Sequence, residues 1–203
     1  MIRESISNDF LTILLVFLSL YIFLLKRFNF NRFLINARFF KKEFNDKVSL
    51  NFFDILFLIF FVINISILTT DYKTNIFNNT DFELKLTSIT FFIILKYILE
   101  IIIGFIFDFK NLSKNYINLK LLYFNSAGIL IFLFNILCVY TNSFRDEIIL
   151  FSVSLTLLYI IYFHLRLFYL FKKILIKNWF YFILYLCTLE IIPYYFFINN
   201  IFI

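Results

Sequence analysis

The sequence predicts an all-α polytopic membrane protein, a bundle of about six transmembrane helices that forms one domain over residues 1–203. Its composition is 63% hydrophobic and 24% aromatic, with a mean hydropathy of +0.91. This hydrophobic content is well above that of a soluble globular domain, which has to keep its apolar surface buried. The apolar residues fall in six long runs without sustained alternation of polar and apolar positions, which favours helices over membrane-spanning strands.

The six runs predict the individual spans. A helix needs roughly 20 apolar residues to cross the hydrocarbon layer, with about 17 to 25 being usual. The first, second and fifth runs are short by this measure, but flanking Phe and Tyr extend them and a bilayer thins locally. The first run ends at Lys26 and Arg27 without a small-residue cleavage site, so it is predicted to stay as a span. The runs cover residues 10–25, 52–68, 86–107, 121–140, 148–163 and 179–197.

The distribution of Lys and Arg predicts the orientation, because these residues are retained on the cytoplasmic side of short loops. The segments after the first, third and fifth runs hold 14 of the 19 basic residues. Four lie in the alternate segments, and Lys96 lies inside the third run. Both the N-terminus and the C-terminus are therefore expected outside the cytoplasm.

The longest connector, residues 26–51, mixes Phe, Leu and Ile with cations in the stretch FNFNRFLINARFFKKEF. Such a segment can form an interfacial amphipathic helix, with its apolar face in the acyl boundary and its cations on anionic headgroups. The alternative is an ordinary basic cytoplasmic loop that is rich in Phe. We favour the surface helix.

Two charged residues lie in the third run, Lys96 and Glu100. A charge at the centre of a bilayer costs roughly 2.5 to 3.5 kcal/mol, so each one needs a partner or a purpose. Residues four apart are neighbours on a helix. We expect the two side chains to pair with each other and to face the bundle.

The sixth run carries a carboxylate, Glu190, at mid-depth and the only proline of the chain, Pro193. Proline frees the carbonyl four residues earlier, beside Glu190. A protonated Glu190 would donate to that carbonyl or to another helix, and an ionised one needs a cation such as Lys96. Cys187, Glu190 and Tyr194 share a face that should point into the bundle. A packing or assembly role and a proton, ion or ligand role both stay open for this carboxyl.

Polar residues in the fourth and fifth runs indicate helix contacts. Asn125, Gly128 and Asn135 lie within one half of the fourth helix, where glycine allows close approach and asparagine hydrogen bonds across the contact. In the fifth run, Ser152, Thr156 and Tyr159 form a weaker polar stripe.

The sequence predicts no catalytic, cofactor-binding or metal site. Both cysteines lie in apolar runs, where a disulfide is not expected, and one histidine is too few for a Cys/His zinc site. Nucleotide loops and nucleophile elbows are missing. The basic residues lie between apolar runs and form no single patch, so nucleic acid is not an expected partner. The expected partners are the lipid bilayer and other membrane proteins or a second copy of the chain.

Two stretches carry a family resemblance: FYFILYLCTLEIIP at 180–193 and LKYILEIIIGFIF at 95–107. They resemble an uncharacterised family of multi-spanning inner-membrane proteins from Bacteroidetes-type bacteria, a domain of unknown function. The resemblance implies a multi-pass protein of the bacterial cytoplasmic membrane and points to Tyr185, Cys187, Glu190 and Pro193. The family pattern places a proline after the glycine of the fourth span, whereas here Gly128 leads into ILIFLF.

Two functional hypotheses follow from these observations. The first is a non-enzymatic accessory or scaffold subunit of an envelope complex, for which the basic connector and the polar stripes are contact surfaces. The alternative is a small transporter or channel that uses the intramembrane carboxyl of Glu190 together with Lys96 and Glu100.

Overall fold

The described part of the chain forms six helices. The computed structural model describes residues 2–37, 51–74, 79–106, 110–141 and 145–177. The helices are α1 (Ile2–Phe28), α2 (Phe30–Ala37), α3 (Phe52–Thr74), α4 (Asn79–Ile106), α5 (Lys110–Tyr140) and α6 (Arg145–Lys177). Strands do not occur in these ranges, so the predicted all-α fold is confirmed for them.

Five of the six helices are long and apolar enough to cross a membrane. The apolar segments are Asp9–Phe28, Phe52–Thr70, Asn79–Ile106, Ser113–Tyr140 and Glu147–Arg166. Each overlaps one of the first five predicted runs and extends beyond it at one end or both. The sixth predicted span, 179–197, lies outside the described residues.

Helix α5 lies at the centre of the bundle and contacts each of the other five helices. The share of its apolar segment that is buried is 61%, against 22% for the segments of α1 and α6. The segment of α3 is buried almost as much, at 56%, and α3 makes the most extensive contact with α5. The core is therefore the α3–α5 pair, with α1, α4 and α6 packed around it.

Close packing at the α3–α5 contact depends on one glycine. A Cβ atom on Gly128 would lie 2.9 Å from the Cα of Phe61, so the two backbones approach at a point where no side chain fits. Aromatic rings fill the space on both sides. Phe61 stacks on Phe124 with ring centroids 5.2 Å apart, and Phe60 meets the edge of Phe132 at 5.4 Å.

Apolar side chains cover the outside of the bundle. Phe17 is 72% exposed, Phe91 68% and Leu150 66%, which is the reverse of a soluble protein. Together with buried Asn, Asp, Lys and Glu, this distribution fits helices that are surrounded by lipid.

Helix α2 lies in the connector for which the sequence predicts a surface helix. Asn29 begins α2 as a cap, because its Oδ1 accepts a hydrogen bond from the backbone N–H of Arg32. Phe30 and Leu34 are exposed on one side, and Asn36 is fully buried on the other. Asn36 thus packs on the bundle together with Phe33, whose ring lies 5.7 Å from that of Phe57, whereas Phe30 and Leu34 point away. The rest of the connector, 38–50, lies outside the described residues.

Candidate functional site

The first of two buried polar centres surrounds Asp54 at the start of α3. Its Oδ1 accepts a hydrogen bond from Nδ2 of Asn36 at 2.8 Å, and its Oδ2 accepts one from the backbone N–H of Asn51 at 3.1 Å. Nη1 of Arg32 lies 3.7 Å from Oδ2. A carboxylate in the first turn of a helix also faces the positive end of the helix dipole. These contacts compensate the charge of Asp54, whose side chain is almost fully buried.

Asn125 of α5 ties this centre to the middle of the bundle. Its Nδ2 donates to Oδ1 of Asn36 at 2.8 Å and to the backbone carbonyl of Asp54 at 3.0 Å. The side chain of Asn36 also donates to the carbonyl of Arg32 at 3.0 Å. Three helices, α2, α3 and α5, are therefore joined by one set of hydrogen bonds, which we call the Asp54 network: Arg32, Asn36, Asn51, Asp54 and Asn125.

A second asparagine of α5 makes a similar contact further along α3. Nδ2 of Asn135 donates to the backbone carbonyl of Asn64 at 3.0 Å and to its Oδ1 at 3.2 Å. Asn64 in turn donates to the carbonyl of Phe60 at 2.8 Å. Since Gly128 lies between Asn125 and Asn135 on α5, the polar face predicted for the fourth span meets α3 along its length.

The second polar centre is a buried ion pair between α4 and α5. Nζ of Lys120 on α5 forms a salt bridge with Oε1 of Glu100 on α4, and both side chains are at most 1% exposed. The ammonium also lies 5.5 Å from the centroid of the Tyr116 ring and 6.0 Å from that of Phe124, within the range of cation–π attraction. Ser113 donates to the backbone carbonyl of Glu100 at 3.0 Å and strengthens the same contact.

Lys120 changes the interpretation of the basic residues. From the sequence, Lys120 is predicted to lie in a cytoplasmic connector, because it precedes the apolar run 121–140. In the structure it lies inside α5, in the apolar segment Ser113–Tyr140, and is 1% exposed. The helix begins eleven residues before the run, so a charge that looks peripheral in the sequence lies in the core.

Lys96 lies beside this ion pair at the wall of a cavity. Its side chain is 5% exposed, and the cavity has a volume of about 60 Å³. The other walls include Phe61 of α3, Phe92 of α4, Phe124 of α5 and Ile160 of α6, and Lys120 borders it as well. The cavity therefore combines aromatic and aliphatic walls with two lysine side chains.

A hydroxyl pair connects α6 to the same region. Oγ of Ser126 on α5 and the phenol oxygen of Tyr159 on α6 are 2.5 Å apart, a short hydrogen bond. The ring of Tyr159 also packs near that of Tyr123, with centroids 6.3 Å apart. Tyr159, predicted from the sequence to lie in a weak polar stripe, is thus a polar contact of α6 with the core.

The structure places three of the candidate site residues and brings two of them close together. Glu100 and Lys96 lie at the ion pair and the cavity, whereas Asn125 belongs to the Asp54 network. The remaining candidates, Cys187, Glu190, Pro193 and Tyr194, lie outside the described residues.

Sequence reasoning missed Asp54, Asn36 and Lys120. Asp54 carries a readable signal, since an acidic residue three positions after Asn51 is the spacing of a helix N-terminal cap. Asn36 stands in a polar connector, where a buried asparagine is not distinguishable from an exposed one. Lys120 stands directly before an apolar run, as an interfacial cation also would.

The arrangement joins helices to one another through buried polar groups, whose hydrogen bonds and salt bridges lie inside the protein. Each centre contains groups that would be costly in lipid without partners, and each joins at least two helices. Among the described residues, no three His, Cys, Asp or Glu side chains are grouped so that they could hold a metal ion.

A comparison with protein families identifies one match. Residues 10–201 match a family that is described as a domain of unknown function (DUF4271). No curated protein and no solved structure matches the chain significantly.

Proposed function

Since the chain belongs to the family of this domain of unknown function, DUF4271, we propose that it is a non-enzymatic, multi-pass accessory or scaffold subunit of a membrane complex. The supporting observation is that several described polar groups of the core join neighbouring helices to each other. Asp54, Asn125 and Asn135 contact side chains or backbone of other helices. A rigid bundle with a wide apolar outer face is suited to hold other membrane proteins.

The proposal includes the bacterial cytoplasmic membrane and both termini outside the cytoplasm. The distribution of Lys and Arg supports this orientation. With Lys120 assigned to the core, 13 basic residues remain in the three segments predicted to be cytoplasmic, against four in the alternate segments. The contrast still favours the same orientation. Reporter fusions after Ala37 and after Thr74 test it, and a periplasmic signal at the first position would overturn it.

A photocrosslinking experiment tests the subunit role. A photoreactive phenylalanine analogue replaces one outward side chain at a time, at Phe17, Phe91 and Leu150, in the full chain in its native membrane. A matched variant at buried Phe60 is the control. We expect a protein adduct of defined mass from one outer face and none from Phe60. Lipid adducts alone from every outer position, with a single-chain particle in mild detergent, would contradict the proposal.

A second candidate, a small transporter or channel, is favoured by one observation. Lys120, the salt-bridge partner of Glu100, and Lys96 both line a cavity inside the helical bundle. Intramembrane ionisable groups often mark a route for protons or ions. In this candidate, Glu190 is the titrating carboxyl.

Proton flux separates the two candidates. The purified full chain is reconstituted into vesicles loaded with a pH-sensitive dye, and a pH gradient is imposed with valinomycin and potassium present. A proton carrier dissipates the gradient faster than empty vesicles do, and Glu190→Gln abolishes the difference. Under the subunit proposal, the wild-type vesicles behave like empty ones, and Glu190→Gln leaves assembly nearly intact because glutamine still hydrogen bonds.

A further inference from the structure

The apolar segment of α6 ends in a guanidinium that contacts two tyrosines. Nη1 of Arg166 donates a hydrogen bond to the hydroxyl oxygen of Tyr162, one helical turn earlier, at 3.3 Å. The guanidinium also lies near the hydroxyl of Tyr123 on α5. The ring of Tyr123 is itself held in place, because it packs on that of Phe163 with the centroids 4.4 Å apart. Arg166 therefore lies where α6 meets α5, and its side chain is only partly exposed.

The positive charge of Arg166 forms no salt bridge with a carboxylate in the part of the chain that the structure describes. Asp54 and Glu100, the acids that form salt bridges there, pair with other cations. A guanidinium has five N–H donors, and the phenol oxygen of Tyr162 accepts a hydrogen bond from one of them. A neutral phenol does not balance the charge. Arg166 thus offers N–H donors and one positive charge to an anion from outside the chain.

Arg166 lies at the level at which two apolar spans end. The apolar segment of α6 ends at Arg166, and that of α3 begins at Phe52. Asn125, two residues after Tyr123, donates to the carbonyl of Asp54 in the first turn of α3. The contact between Tyr123 and Arg166 is therefore level with the start of α3. Phospholipid headgroups lie at the ends of membrane spans, where cations and tyrosines are common.

The outer side of α6 is apolar from this level towards the middle of the span. Leu158, Tyr162 and Arg166 follow one another at spacings of four residues, so they lie on one face of the helix. Leu158 and Leu165 are each 66% exposed. An acyl chain therefore finds an apolar strip directly beside the guanidinium.

A phosphate group matches these donors. Arginine binds phosphate oxygens through two parallel, charge-assisted hydrogen bonds, and its guanidinium stays charged throughout the physiological pH range. A phospholipid presents a phosphodiester at the headgroup level and acyl chains along the span. We propose that Arg166, positioned by Tyr162, binds the phosphate of a membrane phospholipid whose acyl chains lie along Leu158 and Leu165.

Native mass spectrometry tests the site. The full chain, purified in mild detergent, is titrated with phosphatidylglycerol, and the apparent Kd of the first bound lipid is measured. Arg166→Gln removes the charge and the paired donors, so we expect the apparent Kd to rise about tenfold. Arg27→Gln removes an exposed cation at the end of α1 and is the control, which should bind lipid like the wild type. Equal weakening in the two variants would show a general attraction to surface cations and would overturn the proposal.

Tyr162→Phe tests the positioning of the guanidinium, and it also decides the matter if Arg166→Gln protein does not accumulate. The ring and the charge stay, and only the oxygen that accepts from Arg166 is lost. We expect the apparent Kd to rise about fivefold, with the midpoint of thermal unfolding in lipid-free detergent close to that of the wild type. Tyr169→Phe, at a position that is 76% exposed on the same helix, is the control. An apparent Kd that Tyr162→Phe leaves unchanged would contradict the site.

Two further probes identify the source of the phosphate. Diacylglycerol has the acyl chains without the phosphate, and inorganic phosphate has no chains. We expect neither probe to form an adduct that depends on Arg166, and we expect excess inorganic phosphate to leave the lipid adduct in place. Diacylglycerol that binds as tightly as phosphatidylglycerol would assign the site to acyl chains alone, and inorganic phosphate that displaces the lipid would assign it to a free anion. Either result would overturn the proposal.

Discussion

Asn125 on α5 donates a hydrogen bond at 2.8 Å to Oδ1 of Asn36 on α2, although the two residues are 89 positions apart. The same amide group donates to the backbone carbonyl of Asp54. One side chain of the central helix therefore holds both the short connector helix and the beginning of α3.

Replacing Asn125 with Ala should loosen α2 from the bundle. Two buried acceptors lose their donor, and the expected loss of unfolding free energy is about 1–3 kcal/mol. Thermal or denaturant unfolding in detergent measures it. Asn115→Ala, at an exposed position of the same helix, is the control and should be nearly neutral. If Asn125→Ala lowers the unfolding free energy by the same amount in the wild type and in an Asn36→Ala protein, the two side chains are not coupled.

The contact between Gly128 and Phe61 predicts a steric effect. Gly128→Ala places a methyl group against the backbone of α3, so the two central helices must separate, at a cost of about 1–3 kcal/mol. Leu133→Ala is the control on the same helix. It changes more atoms than Gly128→Ala does, but its side chain is 56% exposed, so the loss of unfolding free energy should be smaller. The midpoints of unfolding of both variants provide the comparison. A more stable Gly128→Ala protein would contradict the close contact.

The ion pair between Glu100 and Lys120 should be sensitive to the loss of one partner. Lys120→Met leaves a buried carboxylate without its salt bridge, a change that typically costs about 3–5 kcal/mol. Protein level in the membrane and unfolding midpoint are the measurements. The double variant Glu100→Gln with Lys120→Met removes both charges and should be milder than Lys120→Met alone. Lys114→Met, at an exposed position of α5, should have little effect.

The hydrogen bond between Tyr159 and Ser126 predicts a smaller effect. Tyr159→Phe keeps the ring packing and removes only the hydroxyl, with an expected loss of about 1 kcal/mol. Tyr169→Phe is the matched control, because Tyr169 is 76% exposed on the same helix. If both variants unfold at the same midpoint, the hydroxyl contact does not stabilise the position of α6.

Much of the helical architecture could be predicted from the sequence, because apolar runs of this length have few alternatives to a membrane helix. The contact face of α5 was also readable. Asn125, Gly128 and Asn135 are polar or small residues on one side of an otherwise bulky helix, and that spacing indicates which side meets a neighbour.

The partners of these residues could not be predicted in the same way. Asn125 contacts Asp54 from 71 positions away, and no local pattern encodes such a distance. Lys120 shows the same limit for burial. The sequence around a cation at the edge of an apolar run does not show whether the helix begins before the cation or at it. For Lys120, the packing of α4 against α5 is what places the side chain in the core.

The two polar centres differ in the order in which their partner residues are translated. The nearest partners of the Asp54 carboxylate, Arg32, Asn36 and Asn51, all leave the ribosome before it does. Glu100, however, is translated 20 residues ahead of Lys120. Until Lys120 has been translated, Lys96 is a cation one helical turn before Glu100 on the same helix. Glu100 therefore meets Lys120 only when α4 and α5 pack together as a hairpin.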